Sequence, residues 1–355
     1  MEQTMKAIAA LKEGEVAVVD LPLPTYGDYE CLVKTHACGF CSSTDMKIIY
    51  NHLADMTIQY PTILGHEGAG EIVAVGKKVK NFHVGDRVTC SRGMYVRGTQ
   101  YTFTWGEMSQ YAVAHDVRAM VDAGIDLSKA TPGKTLTTYP VRLIPDGMSY
   151  ADAVMILTFE ENYSALLNFG LQPGMDLLVW GDGTIAKGLC YFARLLGAKS
   201  VCCAGHHDEK LQEIQAYAGV ELAINTKTQN MTEALGGRQF DMVIDAVGSM
   251  AVIKEGFKYL KNNGKVCVYG VVSKDKADLN LFDMKNNTSL QLLTWPEDEH
   301  RVHDTIVQLI QDGKLVPSES YSHILPYTEI KTAVKMIRNR EATKVILNMD
   351  DPVEN

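Results

Sequence analysis

Asp176-Leu177-Leu178-Val179-Trp180-Gly181-Asp182-Gly183-Thr184-Ile185-Ala186 is the stretch on which the fold turns. A short apolar run runs into a turn with two glycines and then into a helix-forming segment, the order strand, turn, helix. Gly181 permits a tight turn at the strand end. Gly183 lets backbone approach a pyrophosphate, and the small Ala186 lets helix and strand pack closely. Thr184 and Ile185 open the helix, whose first amides face the anion.

The flanks agree with this reading. Upstream, a helix is expected from Ser149 to about Gly170, closed by the turn Leu171-Gln172-Pro173-Gly174. Downstream come a strand at Ser200-Val201-Cys202-Cys203-Ala204 and a helix from Asp208 to Ala218. Further strands follow at Phe240–Asp245 and Lys265–Tyr269. Strands alternating with helices predict a parallel, doubly wound Rossmann sheet, an α/β fold. The first 150 residues read differently, as short strands such as Glu15–Val19, Glu30–Thr35, Gly70–Gly76 and Gly85–Cys90. A helix near Glu329–Asn339 and a strand at Lys344–Asn348 return to that β-rich texture. We therefore expect a catalytic β-rich domain from residues 1–151 and 292–355, with a dinucleotide-binding domain, 152–291, inserted.

The end of the second Rossmann strand selects the cofactor. A carboxylate there accepts from the ribose hydroxyls of NAD. Here the chain reads Ala204-Gly205-His206-His207-Asp208-Glu209-Lys210. Gly205 stands where the carboxylate is expected, and His206, His207 and Lys210 suit a 2′-phosphate, so NADP is favoured over NAD. The plainer alternative makes Asp208 a helix cap and leaves the histidines solvated.

Composition bounds the rest. The chain has 355 residues, is 46% hydrophobic and 22% charged, and carries a formal net charge of -9. That balance argues against nucleic acid or an anionic membrane as partner. No secretory h-region and no membrane-length apolar run is visible, so a cytoplasmic location is expected. The eight cysteines are irregularly spaced and expected to be reduced.

Gly39-Phe40-Cys41-Ser42-Ser43-Thr44-Asp45 and Gly65-His66-Glu67-Gly68-Ala69-Gly70, together with the glycine turn, resemble the medium-chain, zinc-dependent alcohol dehydrogenase superfamily. The resemblance spans nearly the whole chain and includes Gly85-Asp86-Arg87-Val88. It implies a GroES-like β-rich catalytic domain and a catalytic zinc held by Cys41 and His66, a thiolate and an imidazole suited to that metal. Glu67 would stand behind or on the metal, Ser43 or Thr44 would receive the alcohol proton, and Asp45 would orient the site. The family's distal histidine is replaced by Lys47. Its third ligand falls near Leu157 or Thr158, which are poor ligands. Glu161 or Glu160, about one helical turn on, could serve instead, or Cys41, His66 and Glu67 alone could hold the metal.

Many relatives carry a four-cysteine structural-zinc lobe after Gly-Asp-Arg-Val. Here Cys90 is single there, so one catalytic zinc and no structural zinc are expected. Tyr95, Tyr101, Phe103 and Trp105 take the lobe's place, as a cover for substrate, a subunit contact or a surface loop. Arg92, Arg97 and Arg118 read as solvated rather than substrate-binding. The implied reaction interconverts a polar secondary alcohol (polyol, sugar alcohol or cyclitol) and its ketone, a small-molecule substrate, by hydride transfer. The implied assembly is a homodimer or homotetramer through the sheet edge near 281–293. Two other readings stay open: a zinc-free NADPH-dependent enone or quinone reductase, and a non-catalytic NADP(H)-binding protein.

Overall fold

The computed structural model describes residues 3–53, 57–90, 94–95, 99, 101–103, 106–127, 141–272, 278–280, 282, 284, 287–293 and 298–351. The chain divides into two compact units, Met1–Leu157 with His300–Asn355, and Thr158–Glu299.

Along the chain, the first unit opens with β1 (Thr4–Lys12), β2 (Glu15–Pro22), β3 (Glu30–Phe40), α1 (Thr44–Ile49), β4 (Thr62–Ile63), β5 (Gly68–Val75) and β6 (Arg87–Thr89). It continues with β7 (Met94–Tyr95), β8 (Thr102–Phe103), β9 (Tyr111–His115), α2 (Val117–Asp122) and β10 (Arg142–Leu143). Helix α3 (Tyr150–Asn168) begins in the first unit and ends in the second. The second unit then alternates β11 (Asp176–Trp180), α4 (Thr184–Leu195), β12 (Ser200–Gly205), α5 (Asp208–Ala218), β13 (Leu222–Asn225), α6 (Met231–Leu235), β14 (Phe240–Asp245), α7 (Met250–Gly256), β15 (Leu260–Val268) and β16 (Ser289–Leu292). From α8 (Glu299–Gln311) the chain returns to the first unit with β17 (His323–Pro326), α9 (Ile330–Arg338) and β18 (Val345–Asn348).

In the first unit one sheet runs β2-β1-β4-β8. The other runs β10-β6-β5-β3-β18-β17, with β9 paired to β3 and β7. The C-terminal strand is built into this sheet: β18 lies antiparallel to β3, with Val345 opposite Phe40 and Asn348 opposite Ala37. On α9, Ile330, Ala333 and Ile337 are buried, the i, i+3, i+7 spacing of an apolar stripe. They join Phe40, Ile48 and Leu347 in one core. That core anchors the end of β3 and the start of α1, the segment that carries Cys41.

In the second unit the strand order is β13-β12-β11-β14-β15-β16, and the pairings are parallel. This is the doubly wound order 3-2-1-4-5-6 of dinucleotide folds. Leu177, Leu178 and Val179 of β11 are fully buried, as expected of a central parallel strand covered on both faces. Helix α5 buries Leu211, Ile214 and Ala218 and ends on Gly219, whose φ of +62° is the left-handed closure that glycine favours. Among the described residues no helix is long and apolar enough to cross a membrane.

Candidate metal centre and dinucleotide turn

Cys41 follows the last residue of β3, and the next turn of chain is tied back onto it. The Thr44 N–H points to Cys41 Sγ at 3.3 Å, and the Cys41 N–H donates to Asp45 Oδ2 at 2.9 Å. Asp45 is fully buried in the first turn of α1. His66 and Glu67 lie between β4 and β5, just after Gly65. That glycine has φ of +96°, and a Cβ there would overlap the Met108 backbone. Glycine is therefore required for the chain to turn in and present His66.

These two segments bring one ligand atom each from Cys41, His66 and Glu67 within 4.8 Å of one another. Behind the ring, His66 Nδ1 lies 3.4 Å from Asp45 Oδ1; in front, His66 Nε2 lies 3.8 Å from Glu67 Oε1. The other carboxylate oxygen, Glu67 Oε2, pairs with the ammonium of Lys344, which is buried ahead of β18. Glu67 is thus divided: one oxygen faces the ligand group and the other holds a cation. A Cβ on Gly39 would overlap that same oxygen, so β3 needs glycine where the carboxylate crosses it.

Electrostatics follow from this packing. Burial disfavours an imidazolium at His66, but the Asp45 carboxylate and the Cys41 sulfur together outweigh it and push the ring's pKa up to about 10. Burial likewise opposes a Cys41 thiolate, yet the hydrogen bond with His66 brings the thiol below its ordinary value. Burial opposes the Lys344 charge too, and the Glu67 carboxylate raises that pKa again. Cys38 and Cys90 behave oppositely, since burial drives both thiols well above the usual range. A thiolate, an imidazole and a carboxylate converging in a largely dry site form a donor set that fits zinc. The Asp45 contact behind His66 is the outer-shell support such a ligand takes.

The other sequence candidates are placed as follows. The Ser43 hydroxyl accepts from Lys47 Nζ at 3.4 Å, one helical turn on. Glu160 and Glu161 sit on the part of α3 that belongs to the second unit, Glu160 buried and Glu161 partly so. Among the described residues the converging group is Cys41, His66 and Glu67, all in the first unit. Arg118 is exposed on α2, and Arg92, Arg97 and Trp105 lie outside the described residues. All eight cysteines are free thiols. Lys344 was invisible to sequence reasoning, because 277 residues separate it from Glu67 and no spacing links them.

In the second unit, Gly181 follows β11 with φ of +147°, and a Cβ on it would press Ala246 and Ala186 at 3.2 and 3.3 Å. A Cβ on Gly183 would meet nothing within 4 Å, so open space lies above the start of α4. Thr184 and Ile185 are half-buried and Ala186 is buried against the sheet. An open cradle at the N-terminus of a twelve-residue helix is the shape that takes a pyrophosphate. Gly205 is the last residue of β12, His206 is exposed, and His207 and Lys210 are half-buried.

Comparison with known proteins bears on both units. Residues 27–123 match the family described as alcohol dehydrogenase GroES-like domain, and residues 184–312 match the zinc-binding dehydrogenase family. The chain is 27% identical to sorbitol dehydrogenase of Bacillus subtilis over 283 residues, covering 79% of this chain and 78% of the relative. It is 26% identical to L-threonine 3-dehydrogenase of Photorhabdus laumondii, covering 98% of this chain and all of the relative (100%). Among solved structures, benzyl alcohol dehydrogenase of Acinetobacter calcoaceticus is similar with a TM-score of 0.80 at 18% identity, covering 98% of this chain and 100% of that one. At that identity the likeness speaks for the fold.

Proposed function

The chain belongs to the medium-chain, zinc-dependent alcohol dehydrogenase superfamily, and from that premise we propose that it interconverts a polar secondary alcohol and its ketone with one zinc and NAD(P)(H). The observation that carries this reading is the convergence of Cys41, His66 and Glu67, with Lys344 and Asp45 behind them, in a chain that also builds a dinucleotide sheet. Sorbitol and threonine dehydrogenases among the relatives support a polyol-like or other hydroxyl-bearing substrate.

When bound, zinc supplies Lewis acidity toward the substrate oxygen, and the nicotinamide supplies or accepts hydride. The protein's own residues do the rest. Cys41 and His66 would hold the metal, with Asp45 behind the His66 ring at Nδ1 and Nε2 facing the site. Glu67 would be the third donor, its Oε1 facing His66 while Oε2 pairs with Lys344. Of the two candidate hydroxyls, Ser43 is supported by its contact with Lys47. In reduction, the Lys47 ammonium gives a proton to Ser43, and Ser43 gives its own to the forming alcohol. Oxidation runs the same path backwards, the alcohol's proton passing to Ser43 and out to solvent past Lys47. Gly181, Gly183, Thr184, Ile185 and Ala186 cradle the pyrophosphate, and Gly205, His206, His207 and Lys210 meet the adenosine ribose. A cytoplasmic location and a homodimer or homotetramer belong to the same reading.

The test is turnover with a panel of polyols, sugar alcohols, cyclitols and their ketones, followed by nicotinamide absorbance. Activity with a secondary alcohol or ketone, lost in Cys41→Ser and His66→Ala, supports the proposal. Reduction of enones or quinones that survives both substitutions would replace it with the zinc-free reductase.

A further inference from the structure

Asp182, the residue between the two glycines, does not point away from the fold. Its Oδ2 accepts the His206 N–H at 2.6 Å and the His207 N–H at 3.0 Å, and lies 2.8 Å from His207 Nδ1. A carboxylate oxygen can only accept, so this contact places the proton of His207 on Nδ1. Burial works against the charge of Asp182, but these hydrogen bonds hold its carboxyl below the usual carboxylate range.

The same contact explains Gly205. A Cβ there would come within 2.6 Å of Asp182 Cβ and 2.8 Å of Oδ2. Glycine ends β12 because the side chain from the first turn already fills that place. The carboxylate that a dinucleotide fold commonly carries at the end of its second strand is therefore relocated to the glycine turn rather than removed. It also occupies the donors that a 2′-phosphate would need: two successive backbone N–H groups and an imidazole N–H.

We propose that Asp182 is the residue that sets the choice between a 2′-hydroxyl and a 2′-phosphate on the adenosine ribose, by holding the donors of the Gly205–His207 turn as an internal anion. A 2′-phosphate must displace this carboxylate to reach His206, His207 and Lys210. A 2′-hydroxyl donates to it where it stands. The inference rests on the reading of the second unit as a dinucleotide site.

The experiment is a binding titration of the full chain and of Asp182→Asn and Asp182→Ala. The probes are NADPH and NADH by nicotinamide fluorescence, and adenosine 2′,5′-bisphosphate and 5′-AMP by competition. Removing a carboxylate beside a phosphate should shift the affinity ratio toward the 2′-phosphorylated probe by at least about tenfold in both variants, in each probe pair. An unchanged ratio, or equal weakening of both members of a pair in variants that keep the parent melting temperature, would overturn the proposal and leave Asp182 as a brace for the turn. If the unaltered chain binds none of the four probes, the dinucleotide reading itself fails, a result separate from an unchanged ratio.

Discussion

Lys344 is the residue on which the electrostatics of the metal centre depend. It is buried with Glu67, and the two charges pair with each other. Lys344→Met would strand a buried carboxylate and should lower unfolding stability by roughly 3–5 kcal/mol, read from urea unfolding of the metal-free chain. Lys344→Arg keeps the charge and should recover most of that loss. His66 gives a pH prediction with a definite sign. Its pKa is raised from the ordinary 6.5 to about 10, so the metal-free chain holds that proton at neutral pH. This contribution to the stability of the metal-free chain is complete below the ordinary value and is lost as pH rises through about 10. Zinc needs the neutral ring, so zinc affinity should climb with pH through neutrality and a proton should be released on binding. Calorimetry in buffers of different ionisation enthalpy measures that proton; a binding heat independent of buffer would contradict it. Cys41, His66 and Glu67 were legible because each lies in a short glycine-marked string. Lys344 was not, since only the pairing of β18 with β3 brings the C-terminal segment to the site. Asp182 lies within the glycine turn, but no spacing in the sequence shows that its side chain fills the place a Gly205 Cβ would take.

At the scale of elements, α3 and α4 meet through a glycine. Asn162 on α3 is fully buried, and a Cβ on Gly188 of α4 would overlap its amide nitrogen. Gly188→Ala should therefore push the helices apart and destabilise the second unit by about 1–3 kcal/mol, although alanine is the better helix former. A thermal melt in which Gly188→Ala matches or exceeds the parent would count against this packing. The elements with strong punctuation were readable from sequence: β11 before its glycine turn and α5 ending at Gly219 in the second unit, and α9 with its apolar stripe in the first. Other elements gave little signal. β1 buries residues on both faces and so lacks the alternation that marks a strand, and β13 has only four residues between helices. The α8 helix carries charged residues near its start, which hid its buried positions Val302 and Ile306.

At the scale of the whole molecule, the metal donors come from the first unit and the dinucleotide turn from the second. Each set is positioned by its own unit's core. Cys41→Ser and His66→Ala should abolish turnover while NADPH fluorescence still titrates as in the parent; parallel loss of both would deny that separation. The resemblance of the chain to a known superfamily made the two-domain plan legible, whereas the substrate is left to side chains that no short string marks. Metal content of chelator-free protein by mass spectrometry reads the catalytic zinc itself. About one zinc per chain is expected, lost in His66→Ala. Protein that binds NADP(H) and carries no zinc would contradict it.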